Sequence, residues 1–176
     1  MQHRIIRKEK KLRRYFIPAL LAGLLVFAAS AEATKKPVTK TKERVTYKVK
    51  ADFDDVREQI QTAIGSKGIK INNISYIGKM LIRTGKDLGF KKQVYTKAQA
   101  FEFCSATHSR FTMEADPHNI MFCPYIISVY ELADEQGMVY LTYRRPAIIG
   151  SKASKKSLRD VEQLMDDIVQ EALSWF

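Results

Sequence analysis

Two cysteines, Cys104 and Cys123, enclose 18 residues that also hold His108, Met113 and His118, two of the three histidines of the chain. Those residue types at that spacing allow several chemistries. The two thiols could close as a disulfide across the ends of one connection. By loop-closure entropy such a bond contributes roughly 3 kcal/mol, a large share of the ~5–15 kcal/mol that holds a typical domain. Alternatively, two thiolates and two imidazoles make a tetrahedral zinc set, whereas thiolate, imidazole and thioether suit copper. A thiol–disulfide oxidoreductase is a third class. Its usual Cys-x-x-Cys arrangement, which depresses one thiol, is missing here.

The spacing Cys104-x3-His108-x4-Met113 resembles the C-terminal ligand loop of cupredoxins. That site needs a second histidine from an earlier strand, and residues 32–107 contain none. If the segment is helical, Cys104 and His108 share a face at i, i+4, while Met113 lies nearly half a turn out of phase. No Cys-x-x-Cys-His for covalent haem is present. Ser105, Ser109, His108 and Asp116 contain the ingredients of a hydrolytic triad without the glycines of a nucleophile elbow. The acidic pairs Asp54-Asp55, Asp134-Glu135 and Asp166-Asp167 fall at helix starts, turns and solvated helix faces. No glycine-rich phosphate cradle or nucleotide fingerprint appears. The residues therefore point to a non-enzymatic domain.

A second group, Tyr125, Tyr130, Tyr140, Tyr143, Arg144 and Arg145, gathers around the last two strand-like runs. It reads either as a ligand or dimer surface on a sheet face or as an amphipathic sheet with cationic side chains guarding its edge.

The chain that must position these groups has 176 residues, 45% hydrophobic and 28% charged, with eight Gly and five Pro. That composition allows one compact domain plus something short. The formal charge of +11 is unevenly spread. Residues 1–31 carry seven Lys/Arg and one acid, residues 32–50 seven and two, and residues 51–176 sixteen of each. A neutral folded part with no basic face argues against nucleic acid.

The basic start, the uncharged apolar run Phe16–Ala29 and the small residues after it have the layout of a secretory signal peptide. Cleavage after Ala31 or Ala33 predicts a periplasmic or secreted protein, an oxidising setting that favours the disulfide. The alternative is an uncleaved anchor, although 14 apolar residues fall short of the ~20 a spanning helix wants. Arg13-Arg14-Tyr15-Phe16-Ile17 also resembles the core of the twin-arginine export signal. Residues 32–44, rich in Lys and Thr, read as a basic flexible linker, leaving 45–176 as a single domain.

Within that domain Val45, Tyr47 and Val49 alternate with polar residues and predict a strand. Asp52 then caps a helix whose apolar face is Phe53, Val56, Ile60, Ala63 and Ile64, ended by Gly65-Ser66-Lys67-Gly68. Ile69–Ile77 and Val94–Phe103 read as strands, with Met80–Lys92 between them a loop holding at most a helical turn. Ser105 caps a short helix to about Asp116. Ile120–Leu132 and Met138–Arg144 form a hairpin about the turn Ala133–Gly137. Ser154 or Ser157 opens a last helix with its stripe at Leu158, Val161, Leu164, Met165, Ile168, Ala172 and Leu173. The elements predict a largely antiparallel sheet with helices on one face.

The order strand, helix, strands, helix, together with particular residues, resembles the domain-of-unknown-function 302 family. These residues are Phe103, Met113 with Ala115-Asp116-Pro117, Pro124, Val129-Tyr130-Glu131, and Gly137 to Tyr143 closing on Pro146. The likeness covers about residues 45–172. It implies a two-layer α+β fold, β-α-β(4)-α, of the TATA-binding-protein-like kind in a single copy, often dimeric, and carries no DNA function. Where many members have Gly-Asn-Pro after the strand-ending Phe this chain has Cys104-Ser105-Ala106, and where they have Leu before the later Pro it has Cys123. The expectation is thus an exported domain that binds a small ligand or a protein, with Cys104 and Cys123 bonded and no cofactor. The competing one is a periplasmic copper, zinc or redox carrier using Cys104, His108, Met113, His118 and Cys123.

Overall fold

A computed structural model describes residues 34–176. The expected signal peptide lies outside the described residues. These residues belong to one compact unit.

Six strands form one sheet: β1 (Thr39–Lys40), β2 (Arg44–Lys50), β3 (Ile71–Ser75), β4 (Tyr95–Phe103), β5 (Tyr125–Leu132) and β6 (Met138–Arg144). Their spatial order is β1-β2-β6-β5-β4-β3, and every pairing is antiparallel. The helices are α1 (Phe53–Ser66), α2 (Ile77–Asp87), α3 (Ala106–Ala115) and α4 (Lys152–Leu173). This is the α+β, two-layer arrangement that the residues predicted.

Period two decides which way each strand faces. In β5 and β6 alternate residues are buried, Ile127, Val129, Val139 and Leu141 fully so, and the residues between them are not. Over the buried side lie α1, whose buried set is the predicted Phe53, Val56, Ile60, Ala63 and Ile64, and α4, whose predicted stripe is buried throughout. Asp52 caps α1 by accepting from the Asp54 N–H at 2.7 Å. Ser151 caps α4, a turn before the predicted start, because its side chain takes the Ser154 N–H.

Three local expectations are corrected. Part of the segment read as a flexible linker is docked. Thr39–Lys40 pairs with β2, and the Lys35 backbone exchanges two 2.9 Å hydrogen bonds with the Gln170 side-chain amide. Backbone groups make these contacts, so the segment needs no apolar period. Met80–Lys92 is mainly helix, its first eight residues completing α2; Gly85 and Gly89 hid the pattern. The strand expected from Ile120 begins only at Tyr125. Pro117–Phe122 is instead a 3-10 turn whose buried Asn119 donates to Thr112 O at 3.0 Å and Ser154 Oγ at 2.9 Å, tying the turn to α3 and α4.

Candidate functional site

The register of β4 against β5 builds the cysteine site. Phe103 lies opposite Tyr125, their rings edge to face at 6.1 Å; Cys104 follows the first directly and Cys123 precedes the second by two residues, which brings the two thiols to the same end of the strand pair. Both are free thiols and half-buried. Burial, and then the adjoining Cys123 with which it is in direct contact, push the Cys104 thiol up, against a hydrogen bond from the Tyr125 backbone. Such a thiol keeps its proton at neutral pH and is a poor nucleophile.

Around the pair, Ser109 Oγ in α3 lies 3.3 Å from Cys123 Sγ and 3.3 Å from the Tyr125 hydroxyl. Burial of that phenol raises it strongly. Ser105 caps α3 as predicted, its Oγ 2.9 Å from His108 Nδ1. His108 is thereby committed to a serine. His118 is the second residue of the 3-10 turn, its N–H on Asp116 Oδ1, and is exposed, and Met113 is half-buried in α3. Among the described residues no three His, Cys, Asp or Glu side chains come together as a metal set. The structure therefore brings together Cys104 and Cys123 from the five candidate ligands, and the four-ligand zinc geometry does not form.

The Tyr/Arg group is divided by the sheet. Tyr125 and Tyr143 are buried on the helix side. There Tyr143 and Tyr47 donate to Asp166 Oδ1 on α4 at 2.8 and 2.5 Å; burial and this acceptor raise both phenols strongly. Arg145 also serves the framework, its Nε donating to Glu162 Oε1 at 2.7 Å.

Tyr130, Tyr140 and Arg144 occupy the opposite face. Tyr140 stacks on Tyr130 with centroids 5.1 Å apart and planes at 6°, and Tyr95 meets Tyr130 edge-on at 5.4 Å. Lys48 lies 5.1 Å from the Tyr140 ring centroid. Glu135 receives both Lys48 Nζ and the Tyr140 hydroxyl at 2.6 Å, contacts that hold its carboxyl below the usual range. Farther along the same face Arg144 lies directly opposite Arg44. Both are exposed, and neither has an ion-pair partner among the described residues. Like charges directly opposite on adjacent strands are destabilising. Sequence reading missed Arg44, Lys48 and Tyr95. The signal was present, since Arg44 and Lys48 are the polar positions of an alternating strand, but their neighbours depend on register.

The sequence model of a family described as Domain of unknown function DUF302 matches residues 45–172. Three solved chains match. One is the crystal structure of an uncharacterized conserved DUF302 protein from Bacillus stearothermophilus, 14% identical, with a TM-score of 0.61 over 73% of this chain and 97% of that one. No curated protein matches the chain.

Proposed function

The chain belongs to the DUF302 family, and because a fold assigns no chemistry we propose from its own residues that it is an exported binding domain stapled by a Cys104–Cys123 disulfide. Its ligand or partner lies on the sheet face that the helices leave uncovered. The observation that carries the reading is the composition of that face, a tyrosine row beside two opposed arginines that have no ion-pair partner among the described residues. Stacked rings supply apolar area at low conformational cost, and the Arg44/Arg144 pair supplies a site for negative charge. An amphipathic anion fits that combination.

The cysteines support export to an oxidising compartment. Cys104 and Cys123 adjoin at either end of α3 and the 3-10 turn, so a disulfide-forming oxidant of that compartment, taking up two electrons as two protons leave, would close them as a staple, whereas a reactive thiol needs a lowered pKa. The carrier reading keeps only these two thiolates, since His108 is bonded to Ser105 and among the described residues no third His, Cys, Asp or Glu joins them as a metal set.

The test uses protein recovered from its own host without reductant. Thiol counting before and after reduction should give none and then two per chain; two alkylatable thiols at the outset, or stoichiometric copper or zinc, overturns the staple. For the surface, the anionic dye anilinonaphthalene sulfonate is the probe. Binding should weaken about tenfold in Tyr140→Ala and in Arg144→Glu. Unchanged binding in both removes the surface.

A further inference from the structure

The segment from Tyr76 to Val94, α2 and the loop after it, exposes a run of large apolar side chains. Leu88 and Phe90 are 68% and 71% exposed, and Tyr76, Met80, Leu81, Ile82 and Val94 are exposed as well. Within α2 and its first following residue, Ile77, Met80, Leu81 and Leu88 recur at helical spacing and form one stripe. Only Gly78 of the helix is buried; within the stripe Ile77 is half-buried, while Met80, Leu81 and Leu88 stay exposed.

The same segment carries Lys79, Arg83, Lys86, Lys91 and Lys92 against the single acid Asp87. All six are exposed, and none of the five cations forms an ion pair among the described residues. Residues 51–176 as a whole are balanced in charge. The excess is therefore local, and it coincides with the exposed apolar stripe.

We propose that α2 and the loop to Val94 dock peripherally on an anionic lipid surface, the helix lying in the plane of the interface. An amphipathic helix with a cationic polar face binds there through buried apolar area and attraction to anionic headgroups. Each cation near such a surface contributes about 1 kcal/mol. A second copy of the chain is a poorer occupant, because it would set five unpaired cations against five more. The helix of 11 residues is about 16 Å long, far short of a bilayer. Among the described residues no helix is long and apolar enough to cross a membrane. Leu88, Phe90, Lys91 and Lys92 sit together at the far end of the segment, the apolar pair to enter the acyl boundary and the cations to meet headgroups.

The compact unit Glu32–Phe176 is floated with vesicles of phosphatidylglycerol mixed equally with phosphatidylcholine, and with pure phosphatidylcholine vesicles. It should partition into the first at least about tenfold better than into the second, with the advantage shrinking as salt rises. The double variants Leu88→Glu/Phe90→Glu and Lys91→Glu/Lys92→Glu, checked by circular dichroism for an intact fold, should each lose about tenfold or more. Tyr140→Ala should partition like the parent, which separates this surface from the sheet face. No partition into anionic vesicles, or partition that both double variants leave unchanged, overturns the proposal. So does a dimer that Leu88→Glu/Phe90→Glu converts to monomer.

Discussion

Gly78 at the start of α2 lies so close to Ala98 in β4 that a Cβ on the glycine would come within 2.7 Å of the Ala98 backbone nitrogen. That approach seats α2 beside the sheet while Met80, Leu81 and Leu88 stay exposed.

Gly78→Ala should accordingly push α2 from β4. Inserting a methyl into backbone contact costs about 1–3 kcal/mol, measurable by urea denaturation. The loss of amide-exchange protection should concentrate in residues 77–87. Gly85→Ala is the control: nothing lies within 4 Å of its added Cβ, and helix propensity makes it neutral or stabilising by up to about 1 kcal/mol. Equal destabilisation by both substitutions would contradict the close-approach account.

Asp166 should prove the main polar anchor between α4 and the sheet. In Asp166→Ala the buried hydroxyls of Tyr47 and Tyr143 lose the acceptor they share, at about 1–3 kcal/mol. Asp166→Asn keeps a carbonyl oxygen in place and should cost less. A denaturation midpoint that Asp166→Ala leaves unmoved would mean that the phenols find other partners.

The reduced protein should weaken in alkali. Cys104, Tyr47, Tyr125 and Tyr143 all have folded-state values raised by burial, so the folded chain holds these protons more tightly than the unfolded one. Stability from such groups is complete below their ordinary values and is lost as pH rises toward the folded ones. Urea midpoints of reduced protein should fall from the ordinary thiol range upward, starting near pH 9. Closing the disulfide should remove the thiol part of that fall. A midpoint that rises with pH across this window would reverse the sign and reject the assignment.

Much of the fold was legible because burial follows period. The α1 and α4 stripes, the alternation in β2 and β6, and the Ser105 cap each depend on residues a few positions apart, and each formed where its spacing predicted. The segment from Met80 was misread because glycine lowers helix propensity, although Gly78 is there for its contact with Ala98. The docked residues 35–40 left no pattern, since backbone pairing asks little of side chains.

The candidate sites divide in the same way. By itself the sequence determined that two cysteines bracket one connection, that the domain is neutral after residue 50, and that tyrosines and arginines gather in the last strands. Only the tertiary structure decided which of them meet. Strand register set Cys104 beside Cys123 and Arg44 against Arg144, turned Tyr143 inward and Tyr140 outward, and left His108 on a serine. Periodicity is a property of neighbours along the chain, whereas register and layer packing join residues dozens of positions apart, and no local spacing encodes that meeting.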